Sequence, residues 1–234
     1  MTQQRPADPP DLSGHNGWLE ESGWLPGVQA GFVDEPRQRR SVQSTLQILS
    51  AAEAVLAEVG AQGLTMQAVA KRSGVSVGGI YGRFDGKQGL LIAVKDLLLN
   101  RMESDLAERL PACTNLYGVV REFVDCLSTH VSQPAVIAVA IVDPEQAPEL
   151  IERGRLAGER MLKMLTTASE AHRAEIGHED AAVALRTTRD MALGAIIANA
   201  PRPGQPIRSD GRLKIELARA CFLYLSSPAG AILS

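Results

Sequence analysis

The sequence predicts an all-α protein in two parts: an N-terminal three-helix domain containing a helix-turn-helix, then a larger helical C-terminal domain. Three observations lead there. Apolar residues recur at helical spacing along the 234-residue chain, and no run alternates with the period of two that a half-buried strand shows. Leu, Val, Ile and Ala supply the apolar content, while aromatics form 4% of the chain. Two short apolar segments flank Gly74, Val75 and Ser76, the separation that a helix-turn-helix requires.

The elements follow in order. Residues 41–59 carry Leu49, Ala52, Leu56 and Val59 on one helical face. Gly60 ends this helix and Gly63 relaxes the connection. Thr65 reads as the N-cap of a second helix over 65–73. Gly74 supplies the positive φ of the turn, and a third helix spans 77–84. Val69, Ala70, Val75, Ile80 and Phe84 are the apolar residues that hold the pair together, with small Ala70 at the crossing. This arrangement aims the start of the third helix at base edges in a major groove.

Asp85 and Gly86 form a turn, and a fourth helix runs from Lys87 to about residue 110, where Pro111 breaks it. Further helices are expected over 116–131, from Pro134 to Asp143 and Pro144, and over 148–176. Leu150, Leu156, Met161, Leu162, Met164 and Leu165 are apolar positions of the last of these, and Gly177 closes it. His178, Glu179 and Asp180 lead into a helix reaching residue 200. The proline-rich stretch 201–206 cannot be helical, and a final helix covers 210–226. The expected divisions are a disordered extension (1–40), the DNA-binding domain (41–88), the effector-binding and dimerisation domain (89–227) and a tail (228–234).

Residues 1–40 are rich in Pro, Gly and acid, a composition that argues for disorder. Trp18 and Trp24 leave open a segment that packs on a partner or on the second domain. Charge is unevenly spread. Residues 1–36 hold one Arg against six acids, residues 37–101 nine Lys and Arg against four acids, and residues 102–234 fourteen against seventeen. The basic excess coincides with the helix-turn-helix, where phosphates would need neutralising. Cys113, Cys126 and Cys221 are odd in number and fit free thiols in a reducing cytoplasm. The longest apolar stretch, 135–142, is too short to span a bilayer, and no signal-peptide pattern opens the chain. A cytoplasmic location and no membrane partner are expected.

Residues 48–60, 65–73, 74–76 and 77–84, with Gly60, Thr65, Gly74, Tyr81, Phe84 and Lys87 each in place, resemble the N-terminal pattern of the TetR family of bacterial transcriptional regulators. The specific likeness spans about 42–94. It implies phosphate contacts from Thr65, Tyr81 and Lys87, and base reading by Val77, Gly78, Gly79 and Arg83. It also implies a backbone-approaching arm near Arg37, Arg39 and Arg40. The residues themselves allow more than one role. Val77 can pack a thymine methyl, and Tyr81 can reach a phosphate or such a methyl. Arg83 can reach a phosphate or a guanine edge. Lys87 at a helix start favours a phosphate, and Lys71 or Arg72 can add backbone contacts.

The chain departs from the family at Gly79, where a Thr or Ser is usual, with Gly78 and Gly82 nearby. Each interior glycine costs a helix about 1 kcal/mol against Ala. Specificity would then lean on Arg83, on close backbone approach and on DNA shape.

The C-terminal part shows no catalytic constellation. His130 and His172 read as isolated, without Cys or carboxylate at ligand spacing, so no metal or cofactor is expected. Met161, Met164 and Met191 suit either an adaptable pocket or ordinary core. One recognition helix reads one half-site, so a homodimer on a palindromic operator is expected. The resemblance places the dimer on the last two helices, where Ala181, Ala182, Ala184, Ala192, Gly194 and Ala195 would permit close approach. The resulting reading is a repressor released by an unidentified small-molecule effector, whose pocket residues are unknown from sequence. The rival readings are an architectural DNA-binding protein without effector and a helical enzyme.

Overall fold

The computed structural model describes residues 35–140, 148–200 and 211–228. All regular structure among them is helical: α1 (Glu35–Gly63), α2 (Met66–Ser73), α3 (Val77–Tyr81), α4 (Gly86–Arg109), α5 (Leu116–Val131), α6 (Pro134–Ala140), α7 (Pro148–Glu170), α8 (Ala181–Asn199) and α9 (Gly211–Ser226). Single 3₁₀ turns at Leu110–Ala112 and Arg173–Glu175 follow α4 and α7. Trp18 and Trp24, Asp143 and Pro144, the stretch 201–206 and residues 229–234 lie outside the described residues, as do the side chains of Arg37, Arg39 and Arg40.

Two apolar cores meet along α4. The first gathers Ile48, Leu49 and Leu56 of α1, Val69 of α2, Ile80 and Phe84, Leu90 to Leu97 of α4, and Ala135 and Ala138 of α6. The second gathers Met102 and Leu106 from the other half of α4 with Phe123, Leu165, Leu185, Ile196 and Cys221 from α5, α7, α8 and α9. Ion pairs tie α4 to its neighbours: Arg101 to Glu53 of α1 (2.8 Å), Asp96 to Arg153 of α7 (2.5 Å), and Glu103 to Arg160 of α7 (2.7 Å). Any displacement of α4 therefore reaches both cores.

Three expectations are corrected. The first helix begins upstream of Ser41, at Glu35; its regular course does break at Gly60 as expected, at a φ of 71° that only glycine adopts cheaply. Val59 is 55% exposed instead of sharing the core face, while Ile48 and Val55 are buried. The helix expected over 148–176 stops at Glu170, because residues 173–175 tighten into a 3₁₀ turn before Gly177. Asp180 then caps α8 by accepting from the Val183 amide at 2.9 Å.

Candidate nucleic-acid interface

The helix pair is set by its caps. Thr65 Oγ1 accepts from the Ala68 amide at 3.1 Å, starting α2, a bond of about 1 kcal/mol. Gly74 closes α2 at φ 73° and donates its amide to the Ala70 carbonyl at 3.0 Å. Ser76 then caps α3, its Oγ accepting from the Gly79 amide at 3.1 Å. From sequence Ser76 stands only as part of the turn, although a serine directly before the first helical residue carries the signal of an N-cap. Val69, Ile80 and Phe84 are buried between the two helices, while Ala70, Val75 and Val77 pack at the margin of that core.

The recognition helix is shorter than the expected 77–84. It spans Val77–Tyr81, and Gly82 takes the capping position. The Phe84 amide still reaches the Ile80 carbonyl at 3.0 Å, so the chain turns to bury Phe84 instead of continuing straight.

The residues expected to face DNA differ in exposure and in their partners. Thr65, Lys71, Gly78 and Tyr81 are exposed, Tyr81 by 57%, which excludes a buried aromatic role for it. Arg72 is exposed but paired to Glu58 of α1 at 2.7 Å. Lys87, in the first turn of α4, donates to the Gln62 carbonyl at 3.1 Å. Arg83 folds back so that Nη1 donates to the Gly79 carbonyl at 2.9 Å, leaving its Nε buried without a partner. It is therefore neither a solvated charge nor extended toward a base.

The three glycines also differ. A methyl on Gly78 would meet nothing within 4 Å, whereas on Gly79 it would stand 3.0 Å from Val75 Cγ1. The outward-facing backbone position is therefore Gly78, not Gly79.

Behind this interface lies a cavity of about 940 Å³ between α1, α4, α5, α6, α7 and α8. Leu98, Leu99, Met102, Val131, Ile137 and Leu193 give it apolar walls, and Lys95 and His130 supply its basic groups. Burial draws the Lys95 ammonium below its ordinary pKa, against the pull of neighbouring Asp96, and its Nζ donates to the Leu150 carbonyl. Of the three methionines considered from sequence, Met161 lines the cavity, while Met164 and Met191 lie partly buried in the second core. Val59 and Ile197 owe their exposure to this space. Gly60, Ala61 and Gln62, at the end of α1, close it on the side of the helix pair.

His130 is not isolated. Its Nε2 lies 3.2 Å from Asp105 Oδ2, and the buried Cys126 thiol donates to the same oxygen at 3.3 Å. Cys126 and His130 are four residues apart on α5, a spacing visible in sequence that puts both on one helical face. Asp105 comes from α4. Burial, with the carboxylate adding to it, pushes the Cys126 thiol up to about 12. His172 instead faces the Cys113 carbonyl at 3.3 Å.

A pair of capped helices presenting exposed Thr65, Lys71 and Tyr81 from one small core defines a helix-turn-helix DNA-binding protein. The family model described as bacterial regulatory proteins, tetR family, matches residues 48–94, the helix pair and its flanks. Residues 48–94 therefore carry the DNA-binding domain of the TetR family, and the chain is a DNA-binding transcriptional regulator.

Similar solved structures share the helical architecture over 76–79% of this chain. A Mesorhizobium loti MAFF303099 protein assigned to the TetR family is 21% identical, with a TM-score of 0.63 over 79% of this chain and 96% of that one. FadR from Bacillus subtilis, in complex with stearoyl-CoA, is 20% identical, with a TM-score of 0.55 over 77% of this chain and 97% of that one. PfmR from Thermus thermophilus is 20% identical, with a TM-score of 0.52 over 76% of this chain and 96% of that one. No curated protein matches the sequence. No helix among the described residues is long and apolar enough to cross a membrane.

Proposed function

We propose that this regulator is a cytoplasmic homodimeric repressor that binds a palindromic operator and is released by an apolar small molecule held in the cavity. In this reading residues 41–88 contact DNA and residues 89–227 bind the effector and dimerise. Thr65, Lys71, Arg72, Tyr81 and Lys87 touch the backbone, Val77 and Gly78 face the bases, and Arg83 reaches them once it leaves the Gly79 carbonyl. One observation carries the effector reading. Gln62 lines the cavity and its carbonyl holds Lys87, so a molecule against Gln62 meets the segment that positions a DNA-facing cation. An effector that favours one placement of this segment shifts the population away from the DNA-competent state.

The apolar walls favour a long hydrocarbon ligand. Stearoyl-CoA is the first to try, since the similar FadR holds it. An architectural protein without effector would have no use for such a space.

Dimerisation is supported by Val183 of α8 and by Ile215 and Leu223 of α9, each more than half exposed. Ala184 and Ala192, counted from sequence among the close-approach residues, face the protein's own core; Ala182 and Gly194 are the outward ones.

Mapping bound sites in the native cell, with transcript levels after gene deletion, tests the proposal. Repression predicts that genes adjoining bound sites rise. A fall would make the protein an activator, and unchanged transcripts at every bound site would contradict a regulatory role.

A further inference from the structure

We propose that Asp105, Cys126 and His130 form a binding site for a divalent transition metal of the zinc type, set in the wall of the cavity. Three donor atoms of different chemistry converge there, all within 4.8 Å of one another. Asp105 Oδ2 stands 3.3 Å from Cys126 Sγ and 3.2 Å from His130 Nε2. A tetrahedral zinc, with bonds of about 2.0–2.3 Å, spaces its ligand atoms by roughly 3.3–3.7 Å. Two edges of such a polyhedron are therefore nearly in place. The Cys126 and His130 pair sits one helical turn apart on α5, which is buttressed by Phe123 and Leu127, both fully buried. A thiolate beside an imidazole selects zinc, cobalt or a similar borderline ion over magnesium or calcium, which prefer oxygen donors.

The surrounding charge admits a cation. Arg109 is the competitor, but its shorter ion pairs are with Glu122 (2.5 Å) and Asp125 (2.8 Å), and its contact with Asp105 is longer, at 3.3 Å. Lys214 takes the other oxygen of Asp125 at 3.0 Å. In the metal-free protein the thiol proton bridges Cys126 and Asp105. Metal binding breaks that S–H bond, forms the metal–sulfur bond and releases the proton to solvent. Asp105, Cys126 and His130 fill three positions. His130 and Met102 line the cavity beside the site, so the fourth position falls to water or to a donor atom of a molecule held there. The site stands independently of the identity of the effector.

The test is titration of the reduced, chelator-dialysed full-length protein with cobalt(II), then with zinc(II). The expected result is one cobalt per chain, with a near-ultraviolet thiolate charge-transfer band and visible bands of tetrahedral intensity that zinc abolishes. Cys126→Ser should lose the charge-transfer band, Cys113→Ser should keep it, and Asp105→Asn and His130→Gln should weaken cobalt binding at least tenfold. Zinc should also raise the melting temperature of the wild type but not of Asp105→Asn. Absence of a thiolate band in the wild-type protein, or its survival in Cys126→Ser, would overturn the assignment. Should Cys126→Ser fail to fold, unaltered cobalt affinity in both Asp105→Asn and His130→Gln would overturn it equally.

Discussion

Lys87 Nζ donates to the Gln62 carbonyl at 3.1 Å, joining the start of α4 to the turn that closes the cavity behind the DNA-facing helices. The bond crosses the junction between the proposed reading and sensing parts. It uses one of three ammonium donors, so the other two remain for a phosphate oxygen. An effector that shifts Gln62 would move the cation with it.

Lys87→Ala is therefore expected to weaken binding to DNA of every sequence and to lower the slope of log affinity against log salt by about one unit. Tyr81→Phe should weaken binding without changing that slope. Titrations at several salt concentrations check both, and an unchanged slope for Lys87→Ala would remove Lys87 from the backbone contacts.

The glycines of the recognition segment should separate by geometry. Gly82 has an ordinary helical φ of −69°, and a methyl there would meet nothing closer than 3.5 Å. Gly82→Ala should raise stability by up to about 1 kcal/mol. Gly79→Ala should lower stability, since its methyl would press on Val75 Cγ1 at 3.0 Å. Gly78→Ala should fold normally yet lose DNA affinity, because its open space is where the duplex would approach. Thermal melts beside DNA titrations check the set, and full affinity in Gly78→Ala would refute close approach there. Amides of Val77–Tyr81 should exchange quickly in the free protein and slowly in the complex.

Arg83 must leave the Gly79 carbonyl to read DNA. Arg83→Ala is expected to relax preference at one base pair by roughly 1–3 kcal/mol. Uniform weakening across all sequences would assign Arg83 to phosphate, and no change in either quantity would exclude both roles.

The dimer face is open to a direct test. Leu223→Glu and Ile215→Glu place charges on exposed apolar positions of α9 and should yield folded monomers by sedimentation at micromolar concentration. A wild-type protein that sediments as a monomer would end the palindrome argument.

Acid should weaken the α4–α5 junction. Hydrogen bonding from Arg109, opposed by burial and aided by Lys214, holds Asp125 below the usual carboxylate range. Its folded pKa is depressed, so its contribution is present above the unfolded value of about 3.9 and is lost as pH falls through the folded value. The melting temperature should fall below about pH 4, and less steeply in Asp125→Asn. Identical pH profiles would show that this pair contributes no linkage.

The local features are legible in the sequence because local residues determine them. Thr65 declares its cap, Gly74 its positive φ, and α5 its full extent between Asn115 and Ser132. Features made by distant partners are not. Nothing in the sequence tells that Arg72 meets Glu58 or that Lys87 meets Gln62, since folding alone brings them together. The cavity is hidden for the same reason: each of its apolar wall residues reads singly as core. The Cys126 and His130 pair lies in plain view at helical spacing, but Asp105 joins them only through the packing of α4 on α5.

The capped helix pair is expected to read DNA as part of a symmetric dimer. Selection of bound duplexes from a random pool by the full-length protein tests it most directly. The expected result is enrichment of a palindrome whose half-sites are centred about one helical turn, or a multiple of it, apart, with Tyr81→Ala and Lys87→Ala recovering the same sequence at lower yield. Recovery of no enriched sequence, or of a single unrepeated half-site, would contradict it.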